Sequence, residues 1–140
     1  MIRRVDHIAI VVKDVQAALG IYEVALGLQN TGIRDLPEQA VKAAFLSTAD
    51  TEVELLEPTT ADSGVARFLE KRGEGIHHIC FEVDDLGATL ATLRAQGIAL
   101  LNETPQRGAH GRIAFVHPKS ACGVLIELLE RAPHTPEDHT

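Results

Sequence analysis

Aromatic residues and cysteines are scarce in this sequence: 140 residues include no tryptophan, one tyrosine, four phenylalanines and two cysteines. So few rings leave little for base-stacking platforms. The charge balance, 13 Lys plus Arg against 20 Asp plus Glu for a net −7, leaves little for a basic groove. Nucleic acid is therefore not an expected partner. Cys80 and Cys122 form no CxxC pair and lie in apolar stretches, which suits small core residues in a reducing compartment better than a disulfide scaffold. No apolar run approaches the roughly 20 residues of a membrane-spanning helix. Met1 to Asp6 lead straight into an alternating segment rather than the apolar stretch of a signal peptide. The expectation is a cytoplasmic protein without a membrane partner. Its 45% apolar and 24% charged residues match a folded domain, not a disordered chain.

What the sequence does contain is a repeat. Val5 to Val15 (VDHIAIVVKDV) lies on Ile76 to Leu86 (IHHICFEVDDL), pairing His7 with His78, Ile8 with Ile79, Val12 with Val83 and Asp14 with Asp85. Further on, Val53 to Pro58 (VELLEP) lies on Ile126 to Arg131 (IELLER), pairing Glu54 with Glu127, Leu55 with Leu128, Leu56 with Leu129 and Glu57 with Glu130. Each half then reads alike. A β-branched stretch (5–12, 76–83) is followed by a capping Asp (Asp14; Asp84 or Asp85) and an amphipathic segment closed by glycine (Gly27, Gly97). The first helix carries Val15, Ala18, Leu19, Tyr22 and Leu26, and the second carries Leu86, Leu90, Leu93 and Ala95. Three strands follow in each half, near 28–33, 40–47 and 51–57, then near 98–102, 112–117 and 123–130.

The expected fold is α+β, with two tandem βαβββ modules forming an eight-stranded curved sheet around a metal-binding cleft. Module one covers about 4–58 and module two about 75–131, in one domain of residues 1–131. A helix near 62–72, capped by Ser63 and ended by Gly73 to Gly75, connects them. Residues 132–140 (APHTPEDHT) have no periodicity and read as a tail, so His134 and His139 are left out of any site.

Alternation along a strand places His7 with Ala9 and Val11, opposite Ile8, Ile10 and Val12, which should cover the helix. The same alternation puts His78 with Cys80 on the His7-like face and His77 with Ile79 and Phe81 on the helix side. His78 is therefore the better candidate ligand, and Cys80 a core residue. Glu54 and Glu127 sit inside apolar stretches, where a carboxylate without compensation is costly to desolvate. Glu52, Glu57 and Glu130 read as solvated edge residues. If the two modules pair about a pseudo-twofold axis, His7, Glu54, His78 and Glu127 converge as two imidazoles and two carboxylates. That set suits a divalent cation such as Co, Mn, Ni, Fe or Zn better than a closed structural zinc site, which favours thiolates.

These residues, with LPEQAV (36–41), GIHHICFEVDDL (75–86), GAHGRIAFVHPKS (108–120) and GVLIELLE (123–130), resemble the vicinal oxygen chelate superfamily, and within it the methylmalonyl-CoA epimerases. The resemblance runs from about residue 4 to 131. It implies that His7, Glu54, His78 and Glu127 are the metal ligands, that Co2+ is preferred, and that the chain is a homodimer acting on an acyl-CoA. It implies interconversion of (R)- and (S)-methylmalonyl-CoA through removal of an acidic α-proton and a metal-stabilised enolate. Glu127 is the first candidate proton-transfer group, and Glu54, Glu38 or a metal-bound water the candidates for the second. Lys119, Ser120, His110 and Gln39 are candidate substrate contacts. Some members carry a Glu six residues beyond the Pro of the PEQ motif, where this chain has Ala43. The rival readings within the superfamily are a glyoxalase I-type lactoylglutathione lyase and a metal-free resistance module. The text around LPEQAV and GAHGRIAFVHPKS disfavours the first, and the His/Glu pair in each half the second. An extradiol dioxygenase is disfavoured by the fourth protein ligand.

Overall fold

The computed structural model describes residues 1–133; His134 and His139 lie outside the described residues. Eight strands and three α-helices occur in the order β1 (Ile2–Val11), α1 (Val15–Leu19), β2 (Gln29–Leu36), β3 (Val41–Ser47), β4 (Glu52–Pro58), α2 (Gly64–Arg72), β5 (Gly75–Val83), α3 (Leu86–Ala95), β6 (Gln106–Arg107), β7 (Gly111–Val116) and β8 (Leu125–Arg131). The unit βαβββ thus occurs twice, with α2 between the copies. Two compact units partition the described residues: Val5–Ile79, and Met1–Arg4 with residues 80–133.

In the Val5–Ile79 unit, β1 pairs in parallel with β4, bringing His7 opposite Glu52 and Ala9 opposite Glu54. Strands β3 and β4 pair antiparallel, with Phe45 opposite Glu54, and β2 pairs antiparallel with β3. Both faces of β1 are covered. On one, Ile10 and Val12 pack with Val15, Ala18 and Leu19 of α1 and with Leu46 and Leu55, as the alternation predicts. On the other, Ala9 joins Val41, Ala43, Phe45 and Leu56, against which Val65 of α2 packs. The connecting helix is therefore part of this unit's packing.

The second unit has its own core of Val83, Leu86, Leu90, Ala114, Val116 and Leu128. Here β7 pairs antiparallel with β8, setting Phe115 opposite Glu127 and Gly111 opposite Arg131.

The helix caps follow from side-chain chemistry. Asp14 Oδ1 accepts from the Gln16 and Ala17 N–H groups, Ser63 Oγ from Ala66, and Asp85 Oδ1 from Ala88. Of the two candidate aspartates, Asp85 is thus the cap, while Asp84 pairs with the N-terminal ammonium at 2.8 Å. Glu57 and Glu130 correct their reading as solvated residues. Glu57 Oε1 accepts from Val15 N–H at 2.8 Å, and Glu130 Oε2 from Leu86 N–H at 2.7 Å. Each satisfies an orphan donor in the first turn of its own module's helix, where the helix dipole also favours a negative charge.

Two further expectations fail locally. The first helix continues beyond Leu19 as a π-helical segment, Gly20–Ala25. Its wider turn shifts the periodicity, so Leu26 is 64% exposed rather than in the core. The strand expected at 98–102 is reduced to a single bridge between Leu100 and Val116. Asn102 Oδ1 takes the Phe115 N–H that a longer strand would have used, and pairing with β7 resumes at Gln106 and Arg107.

Candidate active site

His7 is carried on β1, Glu54 on β4 and His78 on β5, and within the Val5–Ile79 unit these three come together. The two Nε2 atoms of His7 and His78 lie 3.2 Å apart, and Glu54 Oε2 lies 3.4 Å from His7 Nδ1. Two atoms each about 2.1 Å from one cation, at angles between square and tetrahedral, stand about 3.0–3.4 Å apart. The imidazole pair therefore has the spacing of two ligands on one ion. Neither side chain is open to bulk solvent: side-chain exposure is 11% for His7 and 17% for Glu54.

Each histidine also has its other ring nitrogen engaged by the residue before it. His7 Nδ1 donates to the carboxylate of buried Asp6 at 2.8 Å, which leaves the lone pair on Nε2, directed at His78. His78 Nδ1 lies 2.9 Å from His77 Nδ1. Burial, then the neighbouring His78 and Arg72, push His77 down to about 4, so near neutral pH it carries no charge. A neutral His77 Nδ1 is able to accept a proton from His78 Nδ1, and that tautomer of His78 again leaves Nε2 as the ligating atom. The His77 ring makes an edge contact with Phe68 of α2 at 5.1 Å between centroids.

Asp6 is the residue the sequence reading passed over. The signal was available, because the repeat pairs Asp6 with His77, immediately before the paired histidines. The repeat also pairs the strand partners of the two glutamates, Phe45 with Glu54 and Phe115 with Glu127.

The remaining candidates are carried on other elements. Glu127, half-buried on β8, belongs to the second unit. Ala43 is fully buried in the cluster with Ala9 and Phe45, so the position six residues beyond Pro37 carries no titratable group. Gln39 ends an exposed 3-10 turn, Pro37–Gln39. Lys119 and Ser120 lie in the 3-10 turn after β7. There Lys119 N–H donates to His117 Nδ1, and Ser120 Oγ accepts from Ala99 N–H. His110 is exposed in the loop before β7, where its carbonyl accepts from Ala132 N–H. Cys80 is fully buried, as expected of a core residue, whereas Cys122 is exposed in the turn before β8, against that expectation.

Residues 6–116 match the model of the Glyoxalase/Bleomycin resistance protein/Dioxygenase superfamily. The chain is 42% identical over 127 residues to the mitochondrial methylmalonyl-CoA epimerase of Homo sapiens, covering 89% of this chain and 72% of that one. The chain belongs to the methylmalonyl-CoA epimerase family. Another of its relatives, the ethylmalonyl-CoA/methylmalonyl-CoA epimerase of Cereibacter sphaeroides, is 41% identical, with 91% of this chain and 98% of that one covered. A solved methylmalonyl-CoA epimerase, in complex with methylmalonyl-CoA and NH4+, superposes with a TM-score of 0.81 at 40% identity over 94% of this chain and 96% of that one. The family accounts for the α+β fold and its repeated βαβββ order. Among the described residues no helix is long and apolar enough to cross a membrane.

Proposed function

We propose that this protein is a metal-dependent epimerase that interconverts (R)- and (S)-methylmalonyl-CoA. The observation that carries the reading is the His7–His78 pair, spaced as ligands and held by Asp6 and His77, in a chain of this family. His7, Glu54, His78 and Glu127 would hold a divalent cation, with Co2+ the metal we favour among Co, Mn, Ni, Zn and Fe. Such a cation would supply Lewis-acid stabilisation of the negative charge that proton removal places on the thioester oxygen.

The protein's own part is to move the proton. The carbon between a thioester and a carboxylate is acidic, and inverting it requires a base on one face and an acid on the other. Glu127 and Glu54 fill these roles, because Ala43 offers no group of its own. A cluster shielded from water strengthens every electrostatic interaction with the developing charge. Gln39, His110, Lys119 and Ser120 remain our candidates for contacts to the acyl-CoA. We further propose one domain of residues 1–131, a homodimer, and residence in the cytoplasm. That neither Cys80 nor Cys122 is in a disulfide accords with a reducing compartment.

The test is hydrogen–deuterium exchange at the α-carbon of methylmalonyl-CoA in D2O, with protein stripped by chelator and then supplied with cobalt. Exchange with inversion that requires metal is the expected result. Metal binding without exchange would redirect the assignment to hemithioacetal isomerisation, and a chain that binds no metal would overturn the metal-dependent reading. Light scattering in solution tests the dimer, for which twice the monomer mass of 15.1 kDa is expected.

A further inference from the structure

His7 is held by a carboxylate, whereas His78 is held by a second imidazole. An imidazole turns about its Cβ–Cγ bond with little preference between two flipped orientations, so a strand alone does not decide which nitrogen a histidine presents. A hydrogen bond to the other nitrogen decides it. Asp6 gives His7 Nδ1 such a bond at 2.8 Å, and either oxygen of a carboxylate accepts. His77 gives His78 a bond of 2.9 Å between the two Nδ1 atoms, and keeps it only while its own ring is held with Nδ1 toward His78. Flipped, the ring would present a carbon there. Something outside the pair has to hold His77.

The group in place to do so is Phe68 of α2. Its ring meets that of His77 edge-on, with centroids 5.1 Å apart and 65° between the planes, within the geometry that aromatic pairs favour. The contact continues a series of ring contacts within the Val5–Ile79 unit. His77 and His78 meet at 5.2 Å and 79°, and His78 and His7 at 5.3 Å and 82°. On the other side of Phe68, the Arg72 guanidinium lies 5.6 Å from its centroid, one helical turn further on.

The helix that carries Phe68 is itself fixed at both ends. Ser63 Oγ accepts from Ala66 N–H and starts α2 so that Val65 and Phe68, three residues apart, share a face; Val65 packs on the cluster of Ala9, Val41 and Phe45. Only Gly73 and Glu74 separate α2 from β5, and Gly73 makes the turn at φ +77°, a conformation that favours glycine. Glu74 Oε2 accepts from Lys13 N–H at 2.9 Å, which ties this link to the end of the strand carrying His7.

We infer that Phe68 is a positioning residue for the metal centre: through the His77 ring it fixes the orientation of His78, and so the direction of His78 Nε2. This rests on the metal-binding reading above, and it gives α2, which offers no ligand, a part in building the site.

The experiment uses the full chain and three variants. Long-range 1H–15N spectra after chelator treatment report which nitrogen of His78 carries the proton, with neither metal nor turnover required. The parent should show Nδ1 protonated and Nε2 bare. Phe68→Ala should show the two tautomers mixed, and Phe68→Tyr, which keeps the ring, should restore the parent pattern. Val65→Ala removes a packing contact from the same helix face and should also match the parent. Co2+ affinity, read by competition with a chromogenic chelator, should fall about tenfold in Phe68→Ala and stay within about twofold of the parent in the other two. A His78 tautomer or a Co2+ affinity that is unchanged in Phe68→Ala overturns the inference. An equal loss in Val65→Ala also overturns it, because the effect would then be one of helix packing. A parent chain that binds no Co2+ fails the metal reading alone, and the His78 tautomer in parent and Phe68→Ala then decides the inference by itself.

Discussion

Glu127 is the residue on which the proposed chemistry depends most, and Glu127→Gln separates its roles from packing, because the amide keeps the shape but loses the charge and the basicity. Turnover should be abolished and metal affinity weakened; a variant with full α-proton exchange would remove Glu127 from the mechanism. His77 tests the neighbouring claim that ligands are oriented through their second nitrogen. In His77→Ala the metal stoichiometry should be unchanged while affinity falls by about 10- to 100-fold, read by competition with a chromogenic chelator. Loss of the bound metal altogether would make His77 a ligand and the choice of His78 wrong. The same side chain gives a pH dependence. His77 is lowered from 6.5 to about 4 on folding, so between these values the unfolded chain takes up a proton that the folded chain refuses. Stability is then complete above about pH 6.5 and is lost as pH falls toward 4. Urea midpoints of chelator-treated protein should follow that course, and those of His77→Phe should fall less steeply over the same range. The histidines and glutamates were legible because they recur in the repeat. Asp6 was not, since adjacent residues on a strand point to opposite faces and the alternation gives no reason for Asp6 to reach the His7 ring.

At the scale of elements, both modules start their helix in the same way, with an Asp capping from before the first turn and a Glu from the last strand accepting the first helical N–H. Glu57→Ala and Glu130→Ala should each cost about 1–2 kcal/mol in chemical denaturation, with Glu57→Gln recovering most of it because Oε1 still accepts. A loss within error of zero would return both residues to the solvated role their edge positions suggested. That role was the natural reading from the strand alone, because the partner lies 42 residues away in one module and 44 in the other. Distance in sequence also explains the other misses. The strands with alternating β-branched residues were readable, but whether 98–102 forms a continuous ladder was decided by the Asn102 side chain competing for the Phe115 N–H. The π-helical turn leaves no mark in a 3.6-residue periodicity except that the outward residues Ile21, Val24 and Leu26 are apolar, all of them more than half exposed.

For the molecule as a whole, the duplicated βαβββ order was visible because each copy needs the same solution: a helix that covers one sheet face and a His and Glu on the other. That second face buries its polar groups among Ala9, Ala43 and Phe45, which is costly unless they are paired. Among the described residues, no buried side-chain nitrogen or oxygen lacks a hydrogen-bond partner. The apo chain should therefore fold by itself, with the metal adding stability by linkage rather than being required for folding. At a free metal concentration about 100 times Kd this amounts to about 2.7 kcal/mol, or roughly 10 °C in the melting temperature of a domain this size. Scanning calorimetry of stripped and cobalt-loaded protein should show that rise, with both samples melting cooperatively. His7→Ala should abolish the cobalt-dependent increment, because removing one Nε2 ligand leaves an imidazole and the carboxylates to hold the ion. A stripped chain that is unfolded would mean the metal is part of the fold, and a His7→Ala protein that keeps the full increment would place the cation somewhere other than between His7 and His78.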